Sequence, residues 1–228
     1  MNSSDPIPAV VESDATGDIK NIFDDIKSVT GVDVVNLVWR RLAKTENALP
    51  YLWGVLRPLY ESGFINHQAV EFQNQLVLPK LPKFKDEILF ASGIDNLGKI
   101  TINNILVSYN RTNTVNLIAL QAALITLTGA EDVMLEPTHK KAVSDNLLPM
   151  PRLPAISDLN PTIISLVKEL NSLGEEDGTI IASMYRHLAY WPNYLALVKI
   201  ALEPIASSGE LKKAIDKSRE QSAKKALS

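Results

Sequence analysis

Two stretches decide the reading of this chain: RRLAKTENALPYLWGVLRPLYESG at residues 40–63 and RHLAYWPNYLALVKIALEPIASSG at residues 186–209. Laid over each other at an offset of 146 residues, they agree without a gap at nine of 24 positions. The identities are Arg40/Arg186, Leu42/Leu188, Ala43/Ala189, Asn47/Asn193, Leu49/Leu195, Leu56/Leu202, Pro58/Pro204, Ser62/Ser208 and Gly63/Gly209. Average residue usage gives roughly one or two such matches by chance, so the pattern reads as an internal duplication.

Each copy has helical spacing. Val35, Val38, Trp39 and Leu42 recur at the interval of one helix face, as do Ile181, Met184, Tyr185 and Leu188. Leu49, Leu52, Trp53 and Leu56 form a further stripe, matched by Leu195, Val198 and Leu202. The unit is therefore a helix pair. Its first helix ends near Ala43 or Ala189, and its second ends soon after Pro58 or Pro204, since proline removes a backbone donor and crowds the preceding turn. Gly63 and Gly209 suit left-handed helix ends, and Pro192 suits a first helical turn, where its missing N–H costs nothing. Further helices are expected over Phe64–Val77, Phe84–Ser92, Ile94–Tyr109 and Thr114–Thr128. No segment alternates at period two, and hairpin turn pairs are lacking. The fold class is all-α: two pseudo-symmetric helical repeats packed face to face and joined by a Pro-rich linker. The expected organisation is an extended or disordered segment at 1–18, repeat 1 at 19–130, the linker at 131–160, and a shorter repeat 2 at 161–228.

Composition narrows the function classes. Of 228 residues, 46% are hydrophobic and 21% charged, the balance of a globular protein. The net charge is −3, and the basic residues are dispersed, with no stripe of the kind that follows nucleic acid. Lys212, Lys213, Lys217, Lys224 and Lys225 alternate with Glu210, Asp216 and Glu220, as on a solvated helix face. The absence of cysteine removes thiolate nucleophiles, disulfides and Cys-bound zinc. Leu117–Leu127 is too short to span a bilayer. Met1–Gly17 lacks the basic-then-apolar pattern of a secretory signal. The expectation is a cytoplasmic protein with no nucleic-acid partner, no membrane segment, no metal and no cofactor.

General catalytic motifs are missing. His67, His139 and His187 are scattered and carry no HExxH spacing. There is no phosphate-cradling glycine loop and no GxSxG elbow. Arg40 and Arg186, at equivalent mid-helix points, read as structural donors to a helix end or carboxylate ahead of a substrate clamp. Trp39, Trp53 and Trp191 read as core. The polar run Tyr109-Asn110-Arg111-Thr112-Asn113-Thr114-Val115-Asn116 separates two apolar helices. Two readings apply to it. Asn113 or Thr112 caps the helix beginning at Thr114, or the free N–H groups there hold an anion such as a carboxylate.

The run Ser183-Met184-Tyr185-Arg186-His187-Leu188-Ala189-Tyr190-Trp191-Pro192-Asn193-Tyr194-Leu195 resembles the second-repeat signature of the group I (DL-type, non-stereospecific) 2-haloacid dehalogenases. Tyr109-Asn110-Arg111-Thr112-Asn113 is similar to that family's aromatic-Asn-x-x-Asn stretch, and the resemblance spans about Ile19 to Leu227. It implies an all-α pseudo-dimer with its site between the repeats, often paired into a homodimer. It also implies direct hydrolysis at the α-carbon of a short 2-halocarboxylic acid by water that an aspartate activates. The resemblance places that aspartate at position 184, where this chain has Met184, a thioether that cannot take a proton from water. Val34 and Leu37 stand where the family has bulky aromatics, and Asn116 where it has a tyrosine, whereas Asn113, Ser183 and Tyr185 match. Two functions follow. One is a dehalogenase-like protein that binds or hydrolyses a small carboxylic acid, with Asn113, Asn116, Ser183, Tyr185, Val34 and Leu37 lining the pocket. The other is a non-catalytic helical binding or oligomerising scaffold.

Overall fold

The computed structural model describes residues 8–128, 150–174 and 181–226. These residues form ten α-helices, with no strand among them. In chain order they are α1 (Gly17–Thr30), α2 (Leu37–Leu42), α3 (Ala48–Glu61), α4 (Phe64–Gln75), α5 (Asp86–Ala91), α6 (Asn96–Leu127), α7 (Pro161–Ser172), α8 (Ser183–Leu188), α9 (Pro192–Ser207) and α10 (Glu210–Ala226). None of the described helices is long and apolar enough to cross a membrane. All-α, read from periodicity, is the observed class.

The helix-pair boundaries fall close to those expected. α2 ends at Leu42 and α8 at Leu188, while α3 and α9 run three residues past Pro58 and Pro204. Pro192 opens α9 at its first turn. Gly63 and Gly209 both sit at φ +77°, a left-handed geometry that glycine adopts without a Cβ penalty. Val35 and Ile181, counted in the same stripes, lie just outside the short helices and are buried all the same.

One boundary is corrected. The two helices expected on either side of Tyr109–Thr114 are a single 32-residue helix, α6. Asn and Thr are poor helix formers because their side chains compete for backbone groups, but here those groups are also braced from α4. Thr114 Oγ1 donates back to Asn110 O at 2.6 Å, and Gln73 Nε2 reaches both Asn110 O (3.1 Å) and Thr114 Oγ1 (3.0 Å). With residues 110–114 mid-helix, no helix starts at Thr114. Neither the capping role nor the helix-end anion site survives.

Two compact units emerge. The first comprises residues 8–76, 110–128 and 218–226, and the second comprises 77–109, 150–174 and 181–217. In the first, α1 packs along α3 and α3 against α4. Phe23, Ile26, Trp39, Leu49, Leu56, Ile65 and Ile118 form its interior, each at most 2% exposed. Burial of side chains of this size stabilises by roughly 1.5–3 kcal/mol apiece. In the second, α7 packs on α8 and α9 around Ile105, Leu170, Leu188 and Leu195. Most of the expected linker (131–149) lies outside the described residues. Residues 150–155 are extended and lead into a 3-10 turn at Ile156–Asp158.

Candidate functional site

The continuous α6 puts Asn113 and Asn116 three residues apart, on one helix face. Asn116 is buried at 8% exposure. Its Oδ1 accepts two hydrogen bonds, from Trp39 Nε1 at 3.2 Å and from the Tyr60 hydroxyl at 2.9 Å. The indole N–H can only donate, which fixes the amide orientation with oxygen toward Trp39. Burial pushes the Tyr60 phenol upward, so its hydroxyl stays protonated and donates.

The same aromatics carry the network outward to a half-exposed ion pair. Trp39 meets Trp53 edge-on at 5.7 Å and Tyr60 at 6.4 Å. Trp53 Nε1 donates to Asp25 Oδ2 at 2.7 Å, and Arg57 grips the same carboxylate through Nε (2.7 Å) and Nη2 (3.2 Å). The Arg57 hydrogen bond, assisted by the indole, holds the Asp25 carboxyl below the usual carboxylate range. Asp25 therefore acts as an ionised anchor for Trp53, engaged on both oxygens.

Above this network lies a small cavity of about 20 Å³, lined among others by Asn36, Trp39, Asn66, Arg111, Thr112 and Asn116. That volume has room for about one water-sized group. Asn36 Nδ2 reaches Asn113 Oδ1 at 3.4 Å at the exposed edge, and Arg111 Nη2 donates to Gly31 O at 3.3 Å. The lining therefore offers amides, hydroxyls and a guanidinium, with no Asp, Glu or His among the described residues that form it. Such a surface can hold an oxyanion, but it contains no base to deprotonate water.

The remaining expected residues divide between the units. Val34 and Leu37, exposed and half-buried, flank Asn36 in the first. Ser183, Met184 and Tyr185 belong to the second, all half-buried on α8, with Met184 and Tyr185 packed against the apolar cluster of Leu188 and Leu195. Burial raises the Tyr185 phenol above its ordinary value.

The rest of the α8 signature is used structurally. Arg186 donates to Pro154 O through Nε (3.2 Å) and Nη2 (2.6 Å), and Tyr190 OH donates to Arg152 O at 2.9 Å. His187, 1% exposed, lies between Pro151 O (3.0 Å from Nε2) and the Tyr109 hydroxyl (2.7 Å from Nδ1). A carbonyl only accepts, so Nε2 carries the proton and Nδ1 accepts from Tyr109. Arg40 likewise donates to a backbone carbonyl, Val35 O, at 3.1 Å. Trp39 and Trp53 are core, and Trp191 is half-buried. Among the described residues no three metal-ligating side chains converge.

Sequence reasoning missed Arg111, Asn36, Asn66 and the Trp39–Asn116–Tyr60 triad. Reading 109–116 as helix would have exposed part of it, since the i, i+3 rule then aligns the two amides. No family model matches the chain, and no curated protein does. Among solved structures the chain is similar to one described as the complex structure of a D-2-haloacid dehalogenase mutant with D-2-CPA. The TM-score is 0.64 at 19% identity, over 97% of this chain and 85% of that one. At that identity the likeness is one of fold.

Proposed function

We propose that this chain is a 2-haloacid-dehalogenase-like protein that binds a small carboxylic acid and does not release halide from it. The observation that carries the reading is the lining of the α6 cavity: one guanidinium (Arg111), three amides (Asn36, Asn66, Asn116) and no carboxylate or imidazole. The shared fold supports a dehalogenase-like origin. The resemblance puts the water-activating aspartate at Met184, which packs in apolar surroundings. In this reading the acid enters end-on, with one carboxylate oxygen in the enclosed space and the charge facing Arg111. Asn113 and Asn36 hold the rim, beside Val34 and Leu37.

The test combines halide release from D- and L-2-chloropropionate with calorimetric binding of the same acids. The natural chain is expected to bind at millimolar concentration and release nothing, with Arg111→Gln weakening binding at least tenfold. Halide release by the natural chain would sink the claim that it lacks a base. Absence of binding would sink the carboxylate reading and leave the scaffold role, which the structural use of Arg186, His187 and Tyr190 already favours. Met184→Asp is the companion variant: halide release from it alone would show that a dehalogenase site persists around a missing base.

A further inference from the structure

The second unit holds a larger concavity that the preceding reading does not use. It measures about 480 Å³, within the range of small-molecule sites, roughly 300–1,000 Å³. Its floor is apolar, built from Leu159, Ile163, Ala189 and Pro192. Its rim carries Arg152, Asp158, Asn160 and the Tyr190 ring.

One wall is the extended segment 150–155, and its position is set by more than packing. Pro151 O, Arg152 O and Pro154 O each accept a side-chain donor from or just beyond α8: His187 Nε2, Tyr190 OH and the Arg186 guanidinium respectively. Proline fixes φ along that wall, so little backbone freedom remains to be lost when a ligand arrives. The opposite wall begins at the turn Ile156–Asp158, where Asp158 Oδ2 accepts from Ala155 N at 3.2 Å and Oδ1 from Ser157 Oγ at 3.4 Å. Asn160 Oδ1 is occupied by Thr162 N at 2.9 Å.

Arg152 differs from these neighbours. Its backbone carbonyl is held by Tyr190, but its exposed guanidinium makes no ion pair with any described carboxylate, including Asp158 on the same rim. Tyr190 is 51% exposed, and its ring borders the concavity. The arrangement is a fixed hollow with an apolar floor, an aromatic side and one unpaired cation in a fork geometry suited to carboxylates.

We propose that this concavity is a second binding site, specific for a monocarboxylate with a compact apolar body. The carboxylate pairs with Arg152, a flat body lies along Tyr190, and the apolar part rests on Leu159, Ile163 and Pro192. Asp158 on the same rim disfavours a second negative charge, so dicarboxylates bind more weakly. The site is separate in its residues from the α6 cavity, and the two stand or fall independently.

The probe is 3-phenylpropionate, titrated into the full chain and followed by amide and methyl NMR shifts. Shifts are expected at Ile163, Ala189 and Tyr190, with a millimolar dissociation constant. Arg152→Gln should weaken binding at least tenfold and Arg152→Lys less. The titration of the Ile163, Ala189 and Tyr190 signals, none of which borders the α6 cavity, separates this site from that one. The uncharged 3-phenylpropionamide and the dicarboxylate phenylsuccinate should both bind at least fivefold more weakly. Arg152 is exposed, so its variants are expected to fold. The proposal is overturned if 3-phenylpropionate causes no shifts at 10 mM, on the order of a weak-site limit. It is also overturned if Arg152→Gln binds as the natural chain does, or if the amide binds equally well.

Discussion

Replacing Asn116 by alanine removes one acceptor atom and orphans two donors. Trp39 Nε1 and the Tyr60 hydroxyl both point at Asn116 Oδ1, and the two aromatic residues are only 1% and 2% exposed, so only a water entering from the adjoining small cavity could take its place. A buried donor left unsatisfied costs about 1–3 kcal/mol, which puts Asn116→Ala near 2–6 kcal/mol from hydrogen bonding alone. Tyr60→Phe behaves differently. It deletes a donor while Asn116 keeps Trp39, and a net loss of about 1 kcal/mol is expected. The two changes are therefore coupled. In the Tyr60→Phe background, Asn116→Ala orphans only the indole, and its cost should fall by about 1–3 kcal/mol relative to the natural chain. Urea unfolding of the four proteins in this cycle, read as midpoint and slope, measures the coupling. Additivity within about 0.5 kcal/mol would refute the shared-acceptor geometry, and so would an Asn116→Ala cost below that value.

Two further outcomes follow from the second unit. Burial depresses His187 below its ordinary value of 6.5, with the neighbouring Arg186 charge acting the same way and the Pro151 carbonyl opposing. The unfolded chain therefore takes up a proton that the folded chain resists, so this contribution is intact above pH 6.5 and is lost as pH falls from there through the folded value. Urea midpoints between pH 7.5 and 5 should drop more in the natural chain than in His187→Gln, and equal slopes would remove His187 as the cause. Gly98 lies inside α6, where alanine would ordinarily gain about 1 kcal/mol in propensity. A Cβ there would stand 2.8 Å from Trp191 Nε1 and 3.2 Å from Asp95 Oδ1. Because the indole is rigid, Gly98→Ala should lower the melting temperature, and a rise would show that Trp191 moves aside freely.

How far the sequence could be read depended on the distance over which each residue's partner lies. Helix periodicity is local, and it correctly gave the class, the α2–α3 and α8–α9 pairs, and the proline and glycine positions. The continuous α6 was missed because what overrides weak propensity at 109–116 arrives from far along the chain. Gln73 lies 37 residues from Asn110, Tyr60 lies 56 from Asn116, and Trp39 lies 77 from it. The segment at 150–154 was hidden for the same reason. Its prolines announced an extended chain, but the donors that fix it come from residues 32 to 38 positions later.

The matched stretches show which kind of residue carries its role with it. Leu49 and Leu195, identical at the 146-residue offset, are both fully buried, because an apolar side chain needs only a helix face turned inward. Asn47 and Asn193 are also identical, yet Asn47 adopts φ +59° before α3, whereas Asn193 lies within α9 and donates Nδ2 to Ser92 O at 2.9 Å. Trp39 and its counterpart Tyr185 diverge further, since only Trp39 meets a buried amide at the position of Asn116. Hydrophobic identity predicts burial wherever the local period is kept. Polar identity carries its role where the partner is local, as at Ser62 and Ser208, which both donate Oγ to the carbonyl three residues earlier, and fails where the partner is distant, because a hydrogen bond needs a particular atom within about 3 Å. The same reasoning bears on Met184. The motif around it survives through residues that pack or clamp, such as Leu188 and Arg186, and these would be retained for folding whether or not a reaction takes place. Function in this chain therefore has to be sought where polar groups also border open space, at the α6 cavity beside Arg111 and at Arg152, whose guanidinium pairs with no described carboxylate.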